Sequence, residues 1–372
     1  MDKRYCILEV CIDLDGGGTD RYVYNYCTRI KDIHFDFASV ISKNGILEKP
    51  LRELGATIYK YPRIGLGLFN NFKYFYKIMK EGHYDAVHVH LCYSSFVPLL
   101  AAKICGVKTR ISHAHFANIP ENWEKRLLRK LTTQLAKWFA TDLAACGIDA
   151  AKWMWGVNLF DSGKVTIHSN AIESGKYRYS ESSRNEKRSE LGITPQTLVV
   201  GHVGRICDQK NQRRLLEIFS EMLKINPNLK LIMIGHPDQN YNIDECIDNL
   251  KIRDKVIALG IRDDVPELLN AIDVFVFPSK FEGLPFTLVE TQCNGLPSLS
   301  SNAVTSQVKI SNNLEFLSLN CSNHEWAVHA LSLANNGRQP DAYKYLIEAG
   351  YDLDTEANKL HDYYIKLINK HD

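Results

Sequence analysis

The chain is expected to be an α/β protein made of two Rossmann-like, doubly wound domains that face an interdomain cleft. Three observations carry that expectation. The length of 372 residues exceeds what one hydrophobic core usually serves. Short β-rich runs alternate with longer helical patterns, as in βαβ units around a parallel sheet. A polar, charged stretch interrupts the alternation, which then starts again.

The first series of strands falls at residues 5–11, 35–40, 57–59, 86–89, 109–112, 143–146 and 165–168, with amphipathic helices such as 69–80 and 123–140 between them. The interruption is YRYSESSRNEKRSELGITPQ, residues 177–196. The second series is 198–203, 229–234, 256–259, 274–277 and 296–299, with helices such as 212–224 and a final helix at 356–370. This divides the chain into domains 1–180 and 181–355 and a C-terminal helix, 356–372, that could pack back on the first domain. Ligands of such sheets sit beyond the carboxyl ends of the strands, so the cleft is the expected site.

Hydrophobic residues make up 45% of the chain and charged residues 24%, and the net charge is +2. That balance argues against general nucleic-acid binding. The ten cysteines include no CxxC pair and lie mostly in apolar runs, as buried thiols of a reducing cytoplasm do. The start, MDKRYCILEVCIDLDGGG, turns polar too soon for a signal peptide, and no apolar run approaches the ~20 residues of a membrane span. A cytoplasmic protein is expected.

The chemistry is densest in SKFEGLPFTLVETQCNGLP, residues 279–297. Pro285 suits the first position of a helix running over 286–294 and ending at Gly295 and Pro297. The amides of Phe286, Thr287 and Leu288 would then be free at the helix start, where hydrogen bonding and the helix dipole both favour a phosphate. Glu290 lies one turn, about 5 Å, past Thr287. That is near the spacing from a nucleotide diphosphate to its ribose hydroxyls, and Glu282, before the turn, would reach the other end, where a sugar sits. A capping and a solvated carboxylate are the bland alternative. GHVGRICDQKN, residues 201–211, adds Gly204 at a strand end, then Arg205 and Lys210, two cations able to neutralise a leaving diphosphate.

DGGGTDRYVYNYC, residues 15–27, is a glycine-rich strand-to-helix turn without GxGxxG, suited to close backbone approach rather than to a dinucleotide. Asp13-Leu14-Asp15 is formally a DxD, but it lies far in sequence from the diphosphate candidates. His88 and His90, then His113 and His115, form two HxH pairs at strand ends, with no third metal ligand at a convincing spacing. WEKRLLRKLTTQLAKWF, residues 123–139, is a basic amphipathic helix. It suits an anionic membrane surface, and equally an ordinary helix that packs its leucines inward.

Together these residues resemble the retaining GT-B glycosyltransferases of family 4, in particular the branch that builds bacterial exopolysaccharide and capsule. The resemblance runs over nearly the whole chain through DGGGTDRYV, YDAVHVH, RISHAHFAN, ACGIDAAKWMWG, HSNAIE, VGRICDQKN, IMIGH, ALGIRDDVPELLNAIDVFVFPS and EGLPFTLVE, the last carrying the family's E-x7-E motif. The resemblance implies an acceptor-binding first domain and a nucleotide-sugar-binding second domain. Arg205 and Lys210 become the diphosphate clamp, Glu282 the donor-sugar ligand and Glu290 the ribose ligand. Gly17, Gly18 and Gly204 lie by the diphosphate, with Leu284, Pro285, Phe286 and Thr287 at the helix start and Arg262 and Val265 near the base. His115, or His113 in the other register, is the cleft histidine by the reacting sugar.

The implied activity is transfer of a sugar from a nucleotide-diphosphate donor, uracil or guanine, to a carbohydrate or lipid-linked oligosaccharide acceptor. No cofactor and no metal are expected, nor any nucleic-acid partner, and the enzyme would sit at the inner face of the membrane. Ser300-Ser301-Asn302 replaces the family's Ser-Asp-x, Gly147 stands where a serine is common, and Ala171 where a glycine is common. These departures could alter donor or acceptor choice. The rival readings are a non-catalytic partner subunit of the same fold and a sugar-nucleotide epimerase or hydrolase.

Overall fold

The structure, a computed structural model, describes residues 4–40, 45–62, 67–116, 122–236, 238 and 241–371. Ala117 and Asn118 of the RISHAHFAN stretch lie outside the described residues. The chain forms two units, Met1–Ala171 with Leu353–Asp372, and Ile172–Asp352. The division thus falls ahead of 180/181. The polar run read as a boundary is instead largely a helix of the second unit, Glu181–Glu190. Arg184 and Arg188 of that helix reach Asp273 by ion pairs, and Arg188 also donates to the Ala271 carbonyl. Charges that look solvated in sequence therefore anchor the helix.

The first unit holds a seven-stranded parallel sheet: β1 (Cys6–Val10), β2 (His34–Val40), β3 (Ile58–Tyr61), β4 (Ala86–Val89), β5 (Thr109–Ala114), β6 (Asp142–Ala145) and β7 (Val165–Ile167), in the order β3-β2-β1-β4-β5-β6-β7. The second holds six parallel strands: β8 (Leu198–Val203), β9 (Leu229–Ile234), β10 (Val256–Ala258), β11 (Val274–Phe277), β12 (Ser298–Ser301) and β13 (Leu314–Leu317), in the order β10-β9-β8-β11-β12-β13. Central strands such as CILEV, AVHV and VFVF are buried almost throughout, because helices cover both faces of a parallel sheet. Leu8, Val10, Val87, Val89 and Phe75 belong to one core, and Val200, Leu216, Phe219, Leu231 and Trp326 to the other.

Two strands depart from the sequence reading. β13 was not expected, since LEFL carries a glutamate and only its first residue is buried. β12 lies later than 296–299, because its serines do not read as strand interior. They are nevertheless buried, and Ser298 satisfies its hydroxyl on Leu296 O and Thr291 Oγ1. The last helix, Leu353–His371, groups with the first unit, through Tyr364 on Glu9, His361 on Asp32 and Asp354 on Arg29.

In each sheet the strand order reverses once, between β1 and β4 and between β8 and β11. In doubly wound sheets, the carboxyl ends of the strands at such a reversal are the usual ligand position. Among the described residues no helix is long and apolar enough to cross a membrane.

Candidate active site

In the second unit, the loops after β8 and β11 flank the reversal and carry the expected cations and one expected carboxylate. Gly204 leaves β8 at φ +158, and a Cβ there would lie 3.3 Å from Lys210 Cε. The glycine thereby lets the Lys210 stem fold back over the strand end, with its ammonium 4.6 Å from the Phe277 ring centroid. Lys210 Nζ meets Glu282 Oε1 at 2.7 Å, the side chains being 16% and 10% exposed. The two loops are stitched together by Lys280 N–H to Gln209 O (2.8 Å), Gln209 Nε2 to Phe281 O (3.0 Å) and Asn211 Nδ2 to Pro278 O (3.1 Å). Arg205 differs. Its side chain is 62% exposed and only loosely held, with Asp238 at 3.6 Å.

Beneath this loop lie two groups not singled out from sequence. His202, on β8, donates from Nδ1 to Val276 O (2.9 Å) and its Nε2 faces the Gln212 amide nitrogen (3.2 Å). Burial lowers its pKa to about 4, so the ring is neutral. Gln212 then donates to Arg205 O and accepts from Cys207 N–H, which fixes the loop from inside. Nothing in the sequence marks a histidine and a glutamine ten residues apart as partners.

Helix Phe286–Cys293 follows, every residue of it buried. Pro285 is its N-cap, at φ −72 and ψ 121, and not its first residue as expected. Thr287 and Glu290 lie one turn apart, as expected. Of the three amides expected to be free, that of Leu288 donates to Pro285 O (3.2 Å), closing the turn. Gly295 ends the helix at φ +72, where a Cβ would lie 2.3 Å from Gln339 O. Glu290 is 1% exposed and accepts from Tyr177 Oη (2.9 Å). Asn294 Nδ2 donates to Tyr177 O (3.1 Å), so one tyrosine grips the helix at both its carboxylate and its end. Leu284 and Phe286 are buried beside it.

Arg262 stands apart from the expected base contact. Its Nε and Nη2 each reach Asp264 at 2.7 Å and Nη2 also reaches Glu190 at 3.1 Å. Asp264 takes Lys187 as well, and these cations, Arg262 first, hold its carboxyl below the usual range. The guanidinium is thus committed to an ion-pair network. Val265 is buried at the start of helix Val265–Ala271.

In the first unit, Gly17 is the N-cap and Gly18 the first residue of helix Gly18–Arg29, directly after β1. A Cβ at Gly18 would meet nothing within 4 Å, so the backbone there is open to approach. Asp20 Oδ2 accepts from the amides of Asp15 and Gly17 at 3.2 Å each. Burial, then the Asp13 charge, raise the Asp20 carboxyl to about 7.

The two HxH pairs meet. Strands β4 and β5 are neighbours, with His88 opposite Ile111, so both pairs fall on one face next to Glu9 of β1. Contrary to the sequence reading, a third ligand does accompany a pair: His88, His90 and His113 each offer an atom within 4.8 Å of the others. These rings are already bonded. His90 Nε2 meets Glu9 Oε2 (2.7 Å) and its Nδ1 meets His115 Nε2 (2.7 Å). His88 meets Tyr364 Oη (2.7 Å) and His113 Nδ1 (3.1 Å), and Tyr364 donates to Glu9 Oε1 (2.9 Å). Burial holds all four imidazoles below their ordinary range, His90 at about 3, and raises Glu9. His113 is sealed at 0% exposure, whereas His115 keeps 7%. A second trio, Cys6, His34 and Asp36, is structural in character. Burial raises its thiol to about 12, and Asp36 already accepts from Thr57 N–H and Tyr84 Oη. Asp13 and Asp15 belong to neither trio.

Comparison with known proteins bears on the chain as a whole. The profile of the family described as "Glycosyl transferases group 1" matches residues 183–352. EpsF of Bacillus subtilis is 28% identical over 369 residues, 96% of each chain. An Escherichia coli protein named UDP-Gal:alpha-D-GlcNAc-diphosphoundecaprenol alpha-1,3-galactosyltransferase is 24% identical over 313 residues, 79% of this chain and 78% of that one. The crystal structure of Anabaena HepE with UDP and glucose superposes with a TM-score of 0.81 at 19% identity, covering 97% of this chain and 100% of that one. Two parallel-sheet units of this topology give the chain the GT-B fold, and its residues 183–352 match the group 1 glycosyl transferases.

Proposed function

We propose that the chain is a retaining, metal-independent glycosyltransferase that moves a sugar from a nucleoside-diphosphate donor to a lipid-linked oligosaccharide in cell-surface polysaccharide synthesis. The observation that carries this reading is the Lys210–Glu282 contact at the β8/β11 reversal, with the exposed Arg205 in the same loop and Glu290 one turn inside the following helix. An ammonium and a guanidinium favour a diphosphate there, Glu282 a sugar hydroxyl and Glu290 the ribose. The named activities of the relatives support the wider assignment. EpsF carries the name "Putative glycosyltransferase EpsF", the Escherichia coli protein is named for transfer from UDP-Gal to a diphosphoundecaprenol-linked sugar, and HepE was crystallised with UDP.

In the transfer, the bond from the anomeric carbon to the diphosphate oxygen breaks and its electron pair leaves with the diphosphate. The acceptor oxygen bonds that carbon on the same face, and its proton passes to a diphosphate oxygen. Glu282 and Glu290 are engaged as ligands, so neither serves as a nucleophile, and a front-face route accounts for retention. His115 contacts the donor sugar.

Helix Trp123–Phe139 supports a membrane-surface role. The alternative in which its leucines pack inward does not hold: Leu127, Leu128 and Leu131 are 51–58% exposed and Trp123 is 74% exposed, while Thr133 and Ala136 are its buried residues. Lys125, Arg126 and Lys130 are exposed beside them, whereas Arg129 is stacked on Trp153 and Lys137 donates to Trp155 O.

The deciding experiment is a screen of UDP- and GDP-sugars against a diphospholipid-linked sugar, scored by nucleotide release, with the product's anomeric configuration read by NMR. A retained linkage is expected. An inverted linkage, or nucleotide release that never requires acceptor, would overturn the reading.

A further inference from the structure

The hydrogen bonds around Glu9 form two chains whose direction can be worked out proton by proton. Tyr364 has one hydroxyl proton, and it goes to Glu9 Oε1. The contact between Tyr364 Oη and His88 Nδ1 is then a donation by His88. A neutral imidazole carries one N–H, so His88 Nε2 is bare and accepts from His113 Nδ1–H. His113 Nε2 is in turn bare, in keeping with its being buried without a hydrogen bond. On the other arm, Glu9 Oε2 accepts from His90 Nε2–H, and His90 Nδ1 accepts from His115 Nε2–H. Both carboxylate oxygens are filled by donors, with the Cys27 thiol a further one.

We propose that Glu9 and His90 are positioning residues that hold His115 as its Nε2–H tautomer, so that it offers a bare Nδ1 to accept a hydrogen bond from a hydroxyl of the bound sugar. The geometry rests on three neighbouring strands: Glu9 lies in β1, and His90 and His115 directly follow β4 and β5. Tyr22, from helix Gly18–Arg29, packs its ring 5.8, 4.9 and 5.2 Å from those of His90, His113 and His115 and keeps the chain dry. In such a setting a tautomer is set by the hydrogen bond made by the other ring nitrogen. A proton on Glu9 Oε2 would reverse this arm: His90 would donate to His115, and His115 would present N–H in place of a lone pair. One carboxylate therefore decides whether the ring accepts from a sugar hydroxyl or donates to it. The inference rests on the placing of His115 at the donor sugar proposed above.

The test combines a spectrum with kinetics. Long-range proton–nitrogen NMR of the full chain, labelled at histidine and assigned with His115→Ala and His90→Gln, is expected to show His115 protonated at Nε2 and bare at Nδ1. Glu9→Gln keeps an acceptor oxygen for His90, so the tautomer and most of the activity are expected to remain. Glu9→Leu removes it, and a mixed His115 tautomer with kcat lowered about tenfold to hundredfold is expected, the donor KM changing less than about twofold. In a His115→Ala background, Glu9→Leu should cost less than about twofold more.

A wild-type His115 protonated at Nδ1 overturns the proposal whether or not any variant folds. So does an undiminished Glu9→Leu loss in the His115→Ala background, or a stoichiometric metal in the purified protein displaced by changing His88, His90 or His113. If His115→Ala itself transfers like wild type, the placing of His115 at the sugar fails, while the spectrum still reports on the relay.

Discussion

Lys210 and Glu282 are each other's counter-ion at 2.7 Å, and they stand in loops that follow adjacent strands of the second sheet. Removing the ammonium leaves a 10%-exposed carboxylate beside the proposed diphosphate, adding repulsion to the lost neutralisation. Lys210→Ala is therefore expected to lower kcat by about 10² or more, and Arg205→Ala by a similar factor, as for a lost oxyanion donor. Arg205 is exposed and makes only a long ion pair, so its variant should keep the wild-type melting temperature. Near wild-type turnover in both variants would remove the diphosphate assignment. Tyr177→Phe takes from Glu290 the hydroxyl that aims it. A donor KM raised about threefold to thirtyfold with kcat little changed is expected, as for one lost hydrogen bond to a charge; equal steady-state constants would show that the contact orients nothing. Arg205, Lys210, Glu282 and Glu290 were legible in sequence because each sits at a fixed offset from a glycine or proline that punctuates the chain. Tyr177 was not, because its bond spans 113 residues and its own segment reads as linker.

At the scale of elements, the basic helix Trp123–Phe139 shows what an amphipathic pattern leaves open. The same period fits a helix that buries its leucines and one that offers them outward. Packing decides, and here Thr133 and Ala136 face the core while three leucines face out. Changing Lys125, Arg126 and Lys130 together to Gln is expected to weaken binding to vesicles with anionic lipid in a salt-sensitive way, by about 1 kcal/mol per charge near the surface. A wild type that ignores anionic vesicles at low salt would end the membrane reading. Arg129 is left unchanged because it packs on Trp153. Helix Glu181–Glu190 makes the converse case. Its mean polarity suggests a solvated linker, yet two of its arginines close on Asp273, whose position only the folded second sheet supplies.

Across the whole molecule, buried imidazoles dominate the response to acid. His90 is held at about 3 and His168 and His202 at about 4, against an ordinary 6.5, all by burial, and His88, His113 and His115 are lowered too. The unfolded chain therefore takes up protons first. The stability these groups contribute is fully present above about 6.5 and is lost as pH falls toward 4 and 3. Asp20 and Glu9, raised by burial, and His361, raised by Asp362 and Asp32, pull the other way but are three against six. A melting temperature that falls steadily from pH 7 to 4.5 is expected, and a flat profile would contradict neutral burial. Transfer is expected to survive EDTA, since the cations of the second unit can already neutralise a diphosphate. A loss restored by added metal would point to Asp13 and Asp15 or to the histidine trio. The sequence by itself determined the fold class, the repeated βαβ series and the loops that carry the second unit's charges, because periodicity and turn residues are local properties. Only the tertiary structure decided that β12 buries serines, that Arg262 and Asp264 are tied to Glu190 and Lys187 and that β1, β4 and β5 bring one glutamate and four histidines onto a single face. Strand order and cross-strand register place those side chains together, and neither is written in the spacing of residues along the chain.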